Sequence, residues 1–200
     1  MKLLSFDTSS PRISVAVVES GAVLAECAES GNSSTRLIPS IQKALELAGL
    51  TLKDIEGFVI GEGPGSYNGL RCGFATLQGI LLPQPRPVAQ VNSLAAIALD
   101  PAIVTPIVGV ILNARKQTFF FQKFRMDNGS PKPIEEGMHE RLDQIPGIES
   151  KEISWLSYDV EGIPVAYPCA AVLAKLGAPH LAPYSPEKTI LEPRYLRPPV

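Results

Sequence analysis

Three glycines, Gly65, Gly69 and Gly73, stand four residues apart in the segment 61–79. Positions with this spacing lie on the same face of an α-helix. Because each glycine within a helix costs about 1 kcal/mol relative to alanine, a stripe of glycines indicates that other atoms approach this face closely. The approaching structure could be a second helix, a ligand at the start of the helix, or the sheet of the same domain.

The residues around this stripe predict a strand, a glycine-rich turn and a helix in succession. Residues 57–60 are apolar and predict a short buried strand, and Ser66 is the predicted N-cap of a helix that ends before Pro83. Free backbone N–H groups in such a turn can bind an anion, although a tight turn with nothing bound is the simpler alternative. Neither the P-loop pattern nor the dinucleotide pattern G-x-G-x-x-G is present.

The composition is typical of a folded protein with little net charge. The chain has 200 residues, of which 45% are hydrophobic, with 18 Lys and Arg against 20 Asp and Glu. It can therefore bury a core as one large domain or two small ones. It lacks the excess of positive charge that is typical of a nucleic-acid-binding protein. Any contact with RNA is expected to be local or delegated to a partner.

The cysteines and histidines argue against a disulfide framework, a metal site and nucleophilic catalysis. Cys27, Cys72 and Cys169 include no C-x-x-C pair, and His139 and His180 each stand alone. Free thiols fit a reducing compartment. Because the N-terminus has no signal-peptide pattern and no apolar run approaches the length of a membrane span, we expect a cytoplasmic protein without membrane contact.

Hydrophobic periodicity predicts two domains that both open with strands. The first domain, residues 1–102, has the predicted order βββαβαβα, with strands at 3–6, 13–18, 22–26, 57–60 and 88–91 and helices at 34–48, 66–82 and 93–99. The second domain, residues 103–200, has a predicted hairpin of 107–112 and 118–124 around Arg115, a helix at 139–144, a strand at 153–156 and a helix at 168–176. Six prolines from Pro179 onwards predict an extended tail.

Asp7, Thr8 and Ser9 at the end of a first strand, within a β-meander followed by βαβα, resemble the actin, hexokinase and Hsp70 nucleotide-binding fold. The sequence is similar to the TsaB (YeaZ) family in segments 4–9, 36–39, 61–73 and 192–197. The resemblance covers residues 1–94, returns at 113–115 and includes the tail. The resemblance implies an α/β protein of two tandem actin-like ATPase (ribonuclease H-like) domains, of which the second is degenerate and shortened.

The family resemblance also implies a function. TsaB proteins, formerly described as glycoproteases, are the non-catalytic partners of TsaD, which transfers threonylcarbamoyl to the adenosine next to the anticodon of tRNA. The implied partners are a TsaD-like protein, a TsaE-like ATPase in the complex, and a second copy of the chain when it is alone, with tRNA reached only through the complex. We expect the isolated chain to catalyse no reaction and to bind no cofactor. A site for ATP or ADP with Mg²⁺ that is shared with the complex remains an alternative.

Departures from catalytic relatives support this interpretation. TsaD-like members carry a His-x-x-x-His metal pair on the helix that corresponds to 34–48, where this chain has none, so a metallopeptidase lacks ligands. Asn113 also replaces a common aspartate. A carboxylate at Asp7 could orient Mg²⁺ or phosphate, but it could equally cap a turn.

Two function hypotheses follow, each with its own residues. A scaffold would dock its partner through the helices at 34–48 and 66–82, and the predicted interface residues are Leu37, Ile41, Leu45, Gly69, Arg71 and Gly73. A small-molecule ATPase or kinase would instead bind its nucleotide at Asp7, Thr8, Ser9, Gly63, Gly65 and Ser66. The second domain is short for closing over ATP, which favours the scaffold.

Overall fold

The computed structural model describes residues 1–100, 103, 105–114, 118–187 and 189–196, and these form two compact units. The first unit combines Met1–Ser93 with Pro168–Tyr195, and the second is built from Leu94–Tyr167. Each unit contains one β-sheet. The α/β class predicted from the sequence is confirmed.

The first unit contains a five-stranded mixed sheet with the strand order β3-β2-β1-β4-β5. Its strands are β1 (Lys2–Asp7), β2 (Arg12–Glu19), β3 (Ala22–Ser30), β4 (Gly57–Gly63) and β5 (Val88–Asn92). The first three strands form the predicted antiparallel meander, and β4 and β5 continue the sheet parallel to β1. The carboxyl ends of β1, β4 and β5 therefore meet at one edge of the sheet.

Alternating side chains give this sheet two buried faces. Leu4 and Phe6 of β1 belong to the main hydrophobic core, which they share with helices α1 (Ser33–Leu47) and α2 (Tyr67–Leu81). The opposite face, with Ala16 and Val18 of β2, packs against helix α4 (Ala170–Gly177). Successive residues of a strand point to opposite faces, so the sheet lies between two helical layers.

Both long helices have capping residues that explain where they begin and end. Asn32 Oδ1 accepts a hydrogen bond from Ser34 N at 3.0 Å at the start of α1. Gly49, with φ +66°, follows its last turn, and the N–H of Leu50 donates to the Leu45 carbonyl. Ser66 is the N-cap of α2, as the sequence predicted, and its hydroxyl accepts from Gly69 N at 3.3 Å.

The second unit contains a four-stranded sheet with the order β8-β7-β6-β9. Its strands are β6 (Ile107–Asn113), β7 (Phe119–Asp127), β8 (Ser130–His139) and β9 (Ile153–Leu156), preceded in the chain by α3 (Ser93–Ala98). The predicted hairpin of β6 and β7 is confirmed, but Arg115 in its turn lies outside the described residues. Strand β9 runs parallel to β6, so the pairing order of the first four strands in each sheet is the same.

One strand was not predicted and one predicted helix is wrong. Residues 139–144 were expected to be helical, but His139 ends β8 and only Leu142–Gln144 form a single 3₁₀ turn. Strand β8 contains Pro131 and Pro133, which weaken a strand signal. Both prolines are compatible with β8 because it is the edge strand of its sheet.

The two units also divide the chain differently from the predicted boundary at residue 103. Helix α4 and the following residues as far as Tyr195 belong to the first unit, not to a domain of residues 103–200. Ser5 Oγ donates to the Ala170 carbonyl at 2.6 Å, and Ala170 N donates to Ser14 Oγ at 2.9 Å. The first unit is therefore completed by a segment from the far end of the sequence.

The tail after α4 is extended, as the prolines predicted, and it remains on the first unit. Ala178–His180 form one 3₁₀ turn, and the described residues from 181 to 196 contain no helix. Ala182 pairs with Val88 on the edge of the sheet, and Leu191 is buried in the main core. Among the described helices, none combines the length and the apolar character needed to span a lipid bilayer.

Candidate functional site

The six predicted nucleotide-binding residues come together at the carboxyl ends of β1 and β4. Asp7 ends β1 and is followed by Thr8 and Ser9, and Gly63 ends β4 and is followed by Gly65 and Ser66. Strands β1 and β4 are parallel neighbours, so the two turns meet at the same edge of the sheet. The sequence was therefore sufficient to group these residues in space.

Asp7 is fully buried, and its carboxylate is bound by the chain itself. Oδ1 accepts hydrogen bonds from the N–H and the hydroxyl of Ser9, each at 2.7 Å, and Oδ2 accepts from Ser93 Oγ at 2.5 Å. Ser93 Oγ in turn accepts from Gly63 N at 3.0 Å. Burial raises the pKa of Asp7, although the hydrogen bonds from Ser9 and Ser93 act in the opposite direction.

Close packing around this carboxylate requires a glycine at position 61. A Cβ atom placed on Gly61 would lie 1.9 Å from Asp7 Oδ2, which no side chain permits. Both carboxylate oxygens are thus enclosed by protein atoms. The hydrogen bonds from Ser9 to Oδ1 are those of the turn-capping alternative for Asp7.

The glycine stripe of α2 accommodates the loop that follows β1. A Cβ atom on Gly69 would lie 2.0 Å from the Thr8 carbonyl oxygen, and one on Gly73 would lie 2.5 Å from Thr8 Oγ1. Thr8 Oγ1 also donates to the Gly69 carbonyl at 2.8 Å. This corrects the prediction of a partner contact at Gly69 and Gly73, because the space beside them is filled by the same unit.

The glycine-rich turn is bound to the same loop and is contacted by the tail. Ser66 N donates to the Ser9 carbonyl at 2.6 Å, and a Cβ atom on Gly65 would lie 2.2 Å from that oxygen. On Gly63, a Cβ atom would lie 2.7 Å from the carbonyl oxygen of Arg194 in the tail. The contact with the tail was not predicted. The only signal for it in the sequence was the similarity of segment 192–197 to the family.

Glu62 also takes part in this contact with the tail. Its carbonyl accepts a hydrogen bond from Arg194 N at 2.6 Å. Partial burial raises the pKa of Glu62, and the charge of Arg194 acts in the opposite direction. In the described part of the chain, no group of three or more His, Cys, Asp or Glu residues is close enough to hold a metal ion.

The predicted interface residues on α1 are largely buried. Leu37 lies in the main core, which corrects its predicted place at a partner interface. Ile41 and Leu45 also pack into this core, but they line the floor of a groove between α1 and α2. Arg71 on α2 is exposed. The sequence thus predicted the apolar face of α1 correctly. It did not predict that this face packs into the core of the same unit.

The groove between α1 and α2 has a volume of about 670 Å³ and a mainly apolar lining. Its walls and rim are formed by Ile38, Ile41, Gln42, Leu45, Glu46, Leu50, Thr51, Leu52, Ala75, Thr76, Gly79, Ile80 and Pro83. Ile38 is 57% exposed. A Cβ atom on Gly79 would meet no other atom within 4 Å, so this glycine opens into the groove.

This second small-residue stripe was missed by the sequence analysis. Ala75 and Gly79 have the same four-residue spacing as Gly69 and Gly73 but occupy another face of α2. The spacing was a signal that could have found them. Which stripe faces the unit and which faces outwards depends on the rotation of the helix, and this is set by Leu70, Phe74, Leu77 and Leu81 in the core.

The sequence profile of the family described as "TsaD: tRNA N6-adenosine threonylcarbamoyltransferase" matches residues 17–167, more than half of the chain. The chain belongs to this family. Relatives called "tRNA threonylcarbamoyladenosine biosynthesis protein TsaB" confirm the resemblance to TsaB (YeaZ). The relative from Escherichia coli (strain K12) is 28% identical over 158 residues, covering 74% of this chain and 68% of the relative.

A second TsaB relative and a solved structure extend the family match over nearly the whole chain. The protein from Haemophilus influenzae is 26% identical, and the alignment covers 98% of this chain and 94% of the relative. The structure "YeaZ from Pseudomonas aeruginosa" superposes with a TM-score of 0.79 at 24% identity, covering 98% of this chain and 99% of the other. The family fold therefore includes both units.

Proposed function

We propose that this chain acts in the biosynthesis of tRNA threonylcarbamoyladenosine as a non-catalytic subunit that binds a TsaD-like protein through the α1–α2 groove. Membership of the TsaD-type family and the names of the TsaB relatives support the pathway. The observation that carries the docking proposal is the open, apolar groove on a face of the unit that none of the described residues covers.

The shape of the groove suits an amphipathic helix of the partner. Exposed apolar surface with a polar rim is typical of protein interaction sites. Ile38 and Ile80 offer apolar side chains on opposite walls, while Ala75 and Gly79 keep the α2 wall low. Small residues at such positions allow two helices to approach closely, as the sequence analysis expected for the other stripe.

The absence of catalysis in the isolated chain is part of the proposal. Asp7 is enclosed by Ser9, Ser93 and Gly61, and the glycine-rich turn is occupied by Ser9 and the tail. These contacts support a structural role for the residues that an ATPase would need. Any ATP or ADP with Mg²⁺ would then be bound by the complex and not by this chain alone.

The remaining features of the proposal concern architecture and assembly. The same strand order β3-β2-β1-β4 and β8-β7-β6-β9 supports two tandem actin-like domains, of which the second is shortened. Without its partner, the chain would pair its groove with that of a second copy, which gives a symmetric dimer. We further propose that a TsaE-like ATPase joins the complex, that tRNA binds through the complex, and that the assembly works in the cytoplasm.

Substitution of Gly79 by leucine tests the docking proposal. The new side chain enters open space, so the chain should fold, but it should fill the groove and weaken binding to the cognate TsaD-like protein about a hundredfold. Self-association should weaken in parallel, as measured by calorimetry and analytical ultracentrifugation.

The matched control is Gln78→Leu, which adds an apolar side chain to an exposed position of α2 outside the groove lining. It should leave both affinities unchanged. Wild-type affinity of Gly79→Leu for the TsaD-like protein, with an unchanged melting temperature, would contradict the docking proposal.

A further inference from the structure

Arg71 extends the exposed stripe of α2 beyond the groove. Tyr67, Arg71, Ala75 and Gly79 follow one another at four-residue spacing, so they lie along the same side of the helix. Ala75 and Gly79 line the groove, whereas Tyr67 and Arg71 continue the stripe towards the start of α2. Both are exposed.

The guanidinium group of Arg71 is held in place but has no acidic partner among the residues that the structure describes. It stacks over the ring of Tyr67, with its carbon atom 5.4 Å from the ring centroid, and Nη1 lies 3.4 Å from the Tyr67 hydroxyl. Arg71 forms no ion pair with any residue in the described ranges of the chain, and the first turn of α2 contains no acidic residue. A cation fixed in this way has lost part of its conformational freedom before it binds anything.

The tail packs against Tyr67 of the Tyr67–Arg71 pair. The ring of Tyr195 lies 5.0 Å from the ring of Tyr67, with an interplanar angle of 39°. Tyr195 is anchored by its neighbours in sequence, because Arg194 N donates to the Glu62 carbonyl at 2.6 Å and Leu191 is buried in the core. The position of the Arg71 side chain thus depends on residues more than a hundred positions away in the sequence.

We propose that Arg71 binds a carboxylate side chain on the partner protein, beside the helix that occupies the groove, and that Tyr67 and Tyr195 are positioning residues for Arg71. This inference rests on the proposed function. The planar guanidinium group binds a carboxylate through two parallel hydrogen bonds, and Arg and Tyr are over-represented among the residues that dominate protein interfaces.

The composition of α2 favours a protein carboxylate over the phosphates of an RNA. Binding to a nucleic-acid backbone depends on several cations that neutralise successive phosphates. Arg71 is the single Lys or Arg in Tyr67–Leu81, and it adjoins an apolar groove. One cation beside an apolar groove matches a helix that carries one acidic residue at its rim.

The test is a titration of Arg71→Gln against the cognate TsaD-like protein, with Lys43→Gln as the matched control. Lys43 is an exposed cation on α1 that does not line the groove. We expect Arg71→Gln to weaken binding about thirtyfold, the effect of losing a dominant interface residue, and Lys43→Gln to leave it unchanged. Raising the NaCl concentration from about 0.05 M to about 0.5 M should weaken binding of the wild type, because salt screens the ion pair. The affinity of Arg71→Gln should change much less.

The positioning role of the tail has its own measurement. Tyr195→Ala should weaken binding by a smaller factor than Arg71→Gln and reduce its dependence on salt, whereas Tyr195→Phe keeps the ring and should restore both. Melting temperatures within about 2 °C of wild type would show that folding is intact.

The outcomes separate this inference from the docking proposal. If Gly79→Leu abolishes binding while Arg71→Gln binds like wild type, docking stands and the role of Arg71 is wrong. If neither variant changes the affinity, both proposals are wrong. Weaker binding of labelled tRNA by Arg71→Gln, with unchanged affinity for the TsaD-like protein, would identify a phosphate as the ligand and overturn the inference.

Discussion

Asp7 shows how one residue can have the sequence pattern of a ligand site and the environment of a structural site. Its position at a strand end, followed by two hydroxyl residues, is typical of phosphate and metal binding. The structure instead surrounds it with donors from Ser9 and Ser93 and buries it completely. The sequence could predict the place of this carboxylate but not the contribution of Ser93, which follows it by 86 positions.

The raised pKa of Asp7 predicts a specific dependence of stability on pH. The ordinary pKa of this side chain is 3.8, and the folded-state pKa is higher. As the pH rises above 3.8, the unfolded chain therefore releases its proton before the folded chain does, so the folded state binds more protons. Stability therefore falls as the pH rises from 3.8 to the folded-state pKa, and the loss persists at higher pH. Asn at this position keeps the shape but carries no charge.

We accordingly predict that Asp7→Asn gains stability relative to wild type as the pH rises through this window. Urea unfolding of both proteins from pH 3 to pH 7 measures the difference and cancels the other carboxylates. Asp7→Ala, by contrast, should lose about 2–4 kcal/mol because the donors of Ser9 and Ser93 are left buried without an acceptor. A difference between Asp7→Asn and wild type that does not vary with pH would contradict the assignment.

Helix α2 presents small residues on two faces with opposite consequences. Gly69 faces the Thr8 backbone, whereas Gly79 faces open space in the groove. The sequence could predict the helix, its N-cap and its apolar face, because these depend on local spacing. It could not predict which glycines are enclosed, because the loop after β1 comes from a distant part of the chain.

The same alanine substitution at these two glycines should therefore change stability in opposite directions. Gly69→Ala brings a methyl group to 2.0 Å from a backbone oxygen and should cost about 1–3 kcal/mol. Gly79→Ala meets no atom and should stabilise the helix by up to about 1 kcal/mol. Urea unfolding measures both, and equal effects at the two positions would show that the assigned orientation of α2 is wrong.

At the scale of the whole molecule, the chain leaves its first unit at Ser93 and returns to it at Pro168. The sequence predicted a helix at 168–176, and α4 confirms the element with a shift of two residues at its start. The sheet on which it packs was not predictable from its own pattern. Small apolar residues such as Ala170 and Ala174 suit any flat sheet surface, and the match to Ala16 and Val18 appears only in three dimensions.

This discontinuous organisation predicts that residues 1–102 do not fold alone. Without α4 and the tail, the fragment loses its cover over Ala16 and Val18, the buried side chain of Leu191, and the partners of Ser5 and Ser14. The apolar surface that loses its cover contributes about 25 cal/mol per Å², which removes a large part of the roughly 5–15 kcal/mol that stabilises a typical domain.

A fragment that joins 1–93 to 168–196 through a Gly/Ser linker of about 20 residues, long enough to reach roughly 25 Å, restores these contacts and should fold. We expect circular dichroism to show a cooperative thermal transition for the joined fragment and none for residues 1–102. A cooperative transition of 1–102 would mean that the sheet is stable with one face uncovered. In that case α4 and the tail would be additions to a complete unit, and the predicted boundary at 103 would describe how the chain folds.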